Sequence, residues 1–203
     1  TVLTKLVQGN ERYVSGQKLA PDRGSDARSQ TTASQRPKAI ILSCADSRVS
    51  PEVLFDQGVG DLFVVRIAGN TLTTYGLASM EYAVAVLDSP LIVVLGHENC
   101  GAVHAAMKAY EEDASFPGEI DELVGLIEPA VAIASAKQSP VDLHDAVETN
   151  VELVVDQLLV SGTVLTRAYA EGKLGVVGGV YNLATGKVEF VKFEGVEAPM
   201  PQH

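Results

Sequence analysis

The chain has 203 residues, 46% of them apolar, which is enough for one domain whose core needs no disulfide scaffold. A charged content of 20% is too low, and the aliphatic content too high, for a disordered chain. With 15 Lys+Arg against 26 Asp+Glu the net charge is −11, and no basic cluster is available to meet a phosphate backbone or an anionic membrane, so neither nucleic acid nor a membrane is an expected partner.

Residues 1–15 place Leu3, Leu6, Val7, Tyr13 and Val14 at helical spacing, and Gly16 stops the pattern. They carry no signal-peptide core, although a chain opening on Thr1 leaves a removed leader open. Residues 16–37 are polar, with Pro21, Gly24 and Pro37, and read as a long surface connection that should be functional or lie against something. Three continuous apolar runs follow, Ala39–Ser43, Leu62–Ile67 and Leu91–Leu95, as expected of strands buried on both faces of a parallel sheet. A helix is predicted over Thr73–Leu87, ended by Ser89-Pro90. The most apolar stretch, Ala83–Gly96, is broken by Asp88, Ser89 and Pro90 and is too short to span a membrane. Beyond Gly101 the pattern is helical over Ala102–Glu112, over Glu119–Lys137 with a kink or break at Pro129, and over Val141–Leu159. Gly172–Phe193 holds two strands around the turn Ala184-Thr185-Gly186, an antiparallel hairpin in which Gly178-Gly179 signals a bulge. The fold class is α/β: one domain over 1–203, a mixed sheet with a parallel core flanked by α-helices. No G-x-G-x-x-G is present to support a dinucleotide site. The acidic clusters at Glu111–Asp113 and Glu119–Glu122 read as solvated surface.

The chemistry concentrates at two strand ends. Cys44 follows the first apolar run, in LSCADSRVSPE, and His97 follows the third, in VVLGHENCGAV. Ligands bind at the carboxyl ends of strands in open α/β sheets, so the two clusters should face one edge of one sheet. Cys44 and Asp46 can point the same way in extended chain, and His97 and Cys100 can share a face of a helical turn. Two thiolates, an imidazole and a carboxylate suit zinc best among the common metals. Asn99 is the expected N-cap of a helix opening at Cys100, whose positive end favours the thiolate. The same residues leave open two buried thiols, a disulfide between them, or a hydrogen-bonded loop histidine. A thiol redox centre lacks a C-x-x-C pair.

The pattern C-A-D-S-R followed by H-x-x-C-G resembles the β-class carbonic anhydrases, and the resemblance extends from the first helix to the C-terminal hairpin. It implies zinc on Cys44, His97 and Cys100. The fourth position then belongs to water or hydroxide, or to Asp46, and Arg48 is the partner that holds Asp46 off the metal. It implies Gln35 as the glutamine that hydrogen-bonds substrate, Phe63, Ala68 and Tyr82 as the mostly apolar wall of the cleft, and Gly101 as a continuation of the metal loop. It implies a homodimer or dimer of dimers with the cleft at the subunit boundary, and the helix and arm of residues 1–37 reaching across the partner. Some members carry an inhibitory bicarbonate pocket of Trp, Arg and Tyr. Arg66 and Tyr82 match two of its positions, but Ile41 stands at the third and the chain has no Trp, so that pocket is not expected in this form.

The activity implied is reversible hydration of CO₂ to bicarbonate and a proton. Zinc with an open position lowers the pKa of bound water to about 7, and two thiolates are less acidifying than three imidazoles, so an alkaline working range is expected. Zinc closed by four protein ligands is structural, so Asp46 and Arg48 read as a two-state gate that opens as pH rises. Hydrolysis of carbonyl sulfide or carbon disulfide on the same scaffold is an alternative, as is a structural zinc protein with Asp46 permanently bound. Reduced thiols point to the cytoplasm, with a periplasmic or organellar location left open by the start at Thr1. His104 reads as a surface helix residue; His144 and His203 receive no role.

Overall fold

Continuous apolar runs need cover on both sides, and one sheet with helices on each face supplies it. The computed structural model describes residues 1–199; His203 lies outside them. In chain order the first half comprises α1 (Val2–Val14), α2 (Ser25–Gln30), β1 (Ala39–Ser43), α3 (Pro51–Leu54), β2 (Leu62–Arg66), a 3-10 turn (Ala68–Asn70) and α4 (Thr74–Ala85). The second half comprises β3 (Leu91–His97), α5 (Gly101–Glu112), α6 (Glu119–Gly125), α7 (Glu128–Lys137), α8 (Leu143–Val160), α9 (Thr163–Ala170), β4 (Gly175–Tyr181) and β5 (Val188–Glu194).

The sheet order is β2-β1-β3-β4-β5, with β5 antiparallel to β4 and the other neighbours parallel. Alternation sorts each strand's side chains between two cores. Ile40, Leu42, Ile92 and Val94 pack under α4, α5, α7 and α8, whereas Ala39, Ile41, Val93 and Leu95 pack with α1 and α3. Each fully buried aliphatic chain contributes about 1.5–3 kcal/mol. The chain leaves β1 toward β2 on one side and returns to β3 on the other. The carboxyl ends of β1 and β3 therefore form the switch point at which such sheets bind ligands.

Several local readings are sharpened or corrected. Of the kink or break expected in residues 119–137 the structure has the break, placed just before Pro129, which sits in the first turn of α7 where its missing N–H does no harm. The 16–37 connection contains the short α2, and α3 and α9 are further helices whose few buried residues leave little periodic signal. The run opening at Leu91 extends through His97, so the histidine closes the strand instead of following it. The bulge falls at Gly178/Gly179, as expected.

Within the chain, α1 packs on the sheet. Leu3 and Leu6 are buried with Val93 and Val177. Asn10, also buried, donates to the carbonyls of Leu54 (3.1 Å) and Gly186 (2.9 Å) and accepts from the Val188 amide (2.8 Å), which ties α1 to both α3 and the hairpin. The arm behind it is moored by Asp56. This fully buried carboxylate accepts from Arg12 Nε at 2.7 Å and from the amides of Leu19 and Ala20, each at 2.9 Å. Burial opposes its ionisation, but those three donors win and hold its pKa below the ordinary carboxylate value.

Candidate metal centre

β1 ends at Ser43 and delivers Cys44 to the switch point, while β3 ends at His97 and turns through Asn99 into α5. Asn99 is not the helix cap. It adopts a left-handed φ of 53°, and Cys100 itself takes the N-cap position. Cys44, His97 and Cys100 are all buried, and their ligand atoms lie within 4.8 Å of one another. The cysteines are free thiols, so the disulfide alternative does not hold.

The histidine is oriented as a ligand. Its Nδ1 lies 2.8 Å from the carbonyl oxygen of Glu98, which can only accept, so Nδ1 carries the proton and Nε2 keeps its lone pair. That Nε2 is buried and has no hydrogen-bond partner among the described residues. An orphaned imidazole nitrogen facing two sulfurs is costly unless a cation takes it, and the donor set of two sulfurs and one nitrogen fits zinc.

The sulfurs are electrostatically prepared. The Cys44 pKa is lowered to about 4, first by the hydrogen bond from Cys100 and then, against burial, by His97 and the amides of Asp46 and Gly69. Those amides stand 3.4 and 3.3 Å from Cys44 Sγ. Cys100 is pushed up, by donating its proton to Cys44 and by burial, while the amides of Val103 and Ala102 at the start of α5 pull the other way. A divalent cation bound here would displace the Cys100 proton. His97 is raised despite burial, because the Cys44 sulfur beside it favours the charged ring.

Asp46 stands at the edge of the centre with both oxygens engaged by Arg48. Its Oδ1 accepts from Arg48 Nε at 2.9 Å and its Oδ2 from Arg48 Nη2 at 2.7 Å, and the Arg48 amide adds a third bond at 2.9 Å. Oδ2 lies 3.8 Å from His97 Nε2. The Arg48 hydrogen bonds hold the Asp46 carboxyl well below the usual range, against the effect of burial.

A family model for carbonic anhydrase matches residues 39–188, which contain this whole centre. Carbonic anhydrase of Mycolicibacterium smegmatis is 44% identical over 185 residues, 91% of this chain and 89% of the relative. Carbonic anhydrase 2 of Mycobacterium tuberculosis is 41% identical over 183 residues, 90% of this chain and 87% of the relative. Coccomyxa β-carbonic anhydrase in complex with acetazolamide matches with a TM-score of 0.75 at 30% identity, covering 94% of this chain and 87% of that one. The chain belongs to the β-class carbonic anhydrases.

The family is a lyase class, and within this carbonic anhydrase chain the remaining expected residues divide by position. Ala68 opens the turn that carries Gly69, and Gly101 opens α5 beside Cys100, so both lie at the metal edge. Phe63 is half-buried on the edge strand β2, packed toward the α4 side. Gln35 and Tyr82 are elsewhere. They line a cleft of about 880 Å³ with residues of 31–37 and 86–88, at the amino end of β1. A five-residue strand at about 3.3 Å per residue separates them from Cys44 by on the order of 15 Å. Arg66 and Tyr82 are likewise at opposite edges. Arg66 donates to the carbonyls of Cys44 (3.2 Å) and Asp46 and so clamps the loop between them.

Sequence reasoning missed three contributors: the clamp role of Arg66, the Gly69 amide, and Asn150 on α8, which donates to the Gly69 carbonyl at 2.9 Å. The one sequence signal for Asn150 is a polar residue on an otherwise apolar helix face.

Proposed function

We propose that this chain catalyses the reversible hydration of CO₂ to bicarbonate and a proton, with zinc held by Cys44, His97 and Cys100 and with Asp46 and Arg48 gating access to it. The observation that carries the reading is the commitment of Asp46 to Arg48. Three buried ligand atoms converge, and the nearby carboxylate is engaged elsewhere through a planar two-donor fork. A purely structural zinc site has no use for a competing partner of its fourth ligand. Zinc bound here supplies the Lewis acidity that makes water nucleophilic near neutral pH.

The chain's own residues do the rest. The Glu98 carbonyl fixes the His97 tautomer. Four backbone amides, of Asp46, Gly69, Ala102 and Val103, favour the thiolates. Arg48 keeps Asp46 ionised and turned aside, so Asp46 can accept a proton-bearing group at the rim but cannot act as an acid. Were Arg48 to release it, Asp46 could join Cys44, His97 and Cys100 as a fourth donor and would close the site.

The reading further places Gln35, Phe63 and Tyr82 at the substrate cleft of a homodimer or dimer of dimers, with Gln35 and Tyr82 of one copy serving the other copy's site. Their distance from the ligands of their own chain supports this, as does the exposed stripe of Tyr75, Ala78, Tyr82 and Val86 along and just beyond α4. The relatives' names favour CO₂ over carbonyl sulfide or carbon disulfide. Thiolate ligands are kept most readily in a reducing compartment, so the cytoplasm is the proposed location.

The test is metal analysis joined to stopped-flow CO₂ hydration from about pH 6.5 to about pH 9. One zinc per chain with turnover rising toward alkaline pH is expected. Metal-free protein with its sulfurs bridged, or turnover of carbonyl sulfide well above that of CO₂, would overturn the reading.

A further inference from the structure

We infer that Asn150 is a positioning residue for the metal centre: from α8 its amide holds the Gly69 carbonyl, and through that glycine it keeps the Gly69 N–H on the Cys44 sulfur. The inference rests on the reading of Cys44 as a metal ligand.

Asn150 is 1% exposed, on a helix whose other buried residues, Thr149 apart, are Ala146, Val147, Val151, Val154, Val155 and Leu158. A buried amide among aliphatic chains is destabilising unless it is hydrogen-bonded, and this one reaches a backbone group 81 residues away at 2.9 Å. The approach is built into the sheet. Gly96 and Gly178 lie beneath α8, and a Cβ on either would come within 2.5 or 2.7 Å of Val151. With glycine at both positions α8 sits low enough for Asn150 to reach across the end of β3.

Gly69 is the joint of the relay. Its φ is +66°, and a Cβ would meet Ile127 Cδ1 at 2.5 Å, so glycine is favoured there. Glycine is also the residue whose own sterics fix its backbone least. The direction of its N–H must therefore be set from outside. On one side the Asn70 amide closes the turn onto the Ile67 carbonyl at 2.9 Å. On the other, Asn150 takes the Gly69 carbonyl. Between them the Gly69 N–H points at Cys44 Sγ, 3.3 Å away.

An N–H bond to a thiolate draws charge from the sulfur. It makes the sulfur a weaker base toward protons, which compete with the metal, and a weaker electron donor toward the metal itself. Partners of this indirect kind typically govern metal affinity by 10–100-fold. When the Asn150 amide is removed, the Gly69 carbonyl loses the hydrogen bond that α8 gives it and is freer to rotate.

The test uses Asn150→Leu, with Asn150→Ser as a second variant whose side chain is too short to reach, and Val155→Ala as a packing control from the same helix. Wild-type protein loaded with Co(II) is expected to show a sulfur-to-metal charge-transfer band. In both Asn150 variants the band moves to longer wavelength, and zinc is lost to a chelator on the order of 10-fold faster. Val155→Ala, which removes core packing from the same helix but no hydrogen bond, keeps the wild-type band and rate. Absence of the band from wild type would remove the metal reading itself. A band present in wild type but unmoved in both Asn150 variants, or moved equally by Val155→Ala, would overturn the role of Asn150 alone.

Discussion

The two ends of β1 contrast sharply. At the carboxyl end every group with a chemical role is buried or held. Three ligand atoms converge, Arg48 takes both oxygens of Asp46, and Arg66 and Gly69 brace the loop. At the amino end Gln35 and Tyr82 stand exposed on the wall of an open cleft. Orientation at the first end is complete within one chain, because backbone groups of the same sheet supply it. At the second end no hydrogen bond among the described residues fixes the Gln35 or Tyr82 side chain, as expected of a surface awaiting another copy. The metal centre should therefore survive on its own, while the substrate wall depends on assembly.

The strongest blow to this contrast is at the ligands. Cys100→Ala is expected to abolish metal retention and to lower CO₂ turnover on the order of 1,000-fold, since Lewis-acid assistance is worth several kcal/mol. Metal analysis and stopped-flow assay check it; substantial zinc in the variant would mean that the third ligand is misassigned. Arg48→Ala comes next. Freed from its fork, Asp46 turns to the metal, and turnover near neutral pH should fall on the order of 10–100-fold while zinc content holds. Part of the loss should return at alkaline pH, because hydroxide then competes with Asp46. Wild-type turnover in this variant would remove the gate.

How much of this was legible in the sequence follows the same divide. The strands at 39–43, 62–66 and 91–97 could be read because unbroken aliphatic runs leave few alternatives to a doubly covered sheet. Cys44, His97 and Cys100 could be read because scarce residue types fall at strand ends. Asn150, Arg66 and Gly69 could not, because each acts through a bond to or from a backbone group that joins residues 20 to 81 apart, and no periodicity encodes such a bond. Asn99 was misplaced as a cap for a related reason. Its residue type suits a cap and a left-handed turn equally, and the turn from β3 into α5 decided for the latter.

The amino-end cleft can be tested by mixing copies. Gln35→Ala is expected to lower kcat/KM by about 10-fold with metal content unchanged, which is the cost of one charge-free hydrogen bond to substrate. Combining it with the metal-dead Cys44→Ala chain sharpens the point. If Gln35 of one copy serves the other's site, a mixed dimer contains one complete site and regains activity well above either parent. If each copy uses its own Gln35, mixing yields no gain.

The smallest effect on catalysis, and the clearest on stability, is expected at Asp56. It lies on neither side of the divide but moors the segment that joins them. Asp56→Asn puts an amide against the Arg12 guanidinium and the two backbone N–H groups, and should destabilise the fold by about 2–3 kcal/mol in urea unfolding while zinc is retained. The pH dependence has a definite sign. Because the folded pKa of Asp56 is lowered, its contribution is fully present above the unfolded value of about 3.9 and is given up as pH falls through the folded value. The stability gap between wild type and Asp56→Asn should therefore be constant from neutral pH down to about 4 and narrow below it. A gap that widened on acidification would mean that the carboxyl is buried protonated. The arm leading to Gln35 would then be held by packing, not by charge.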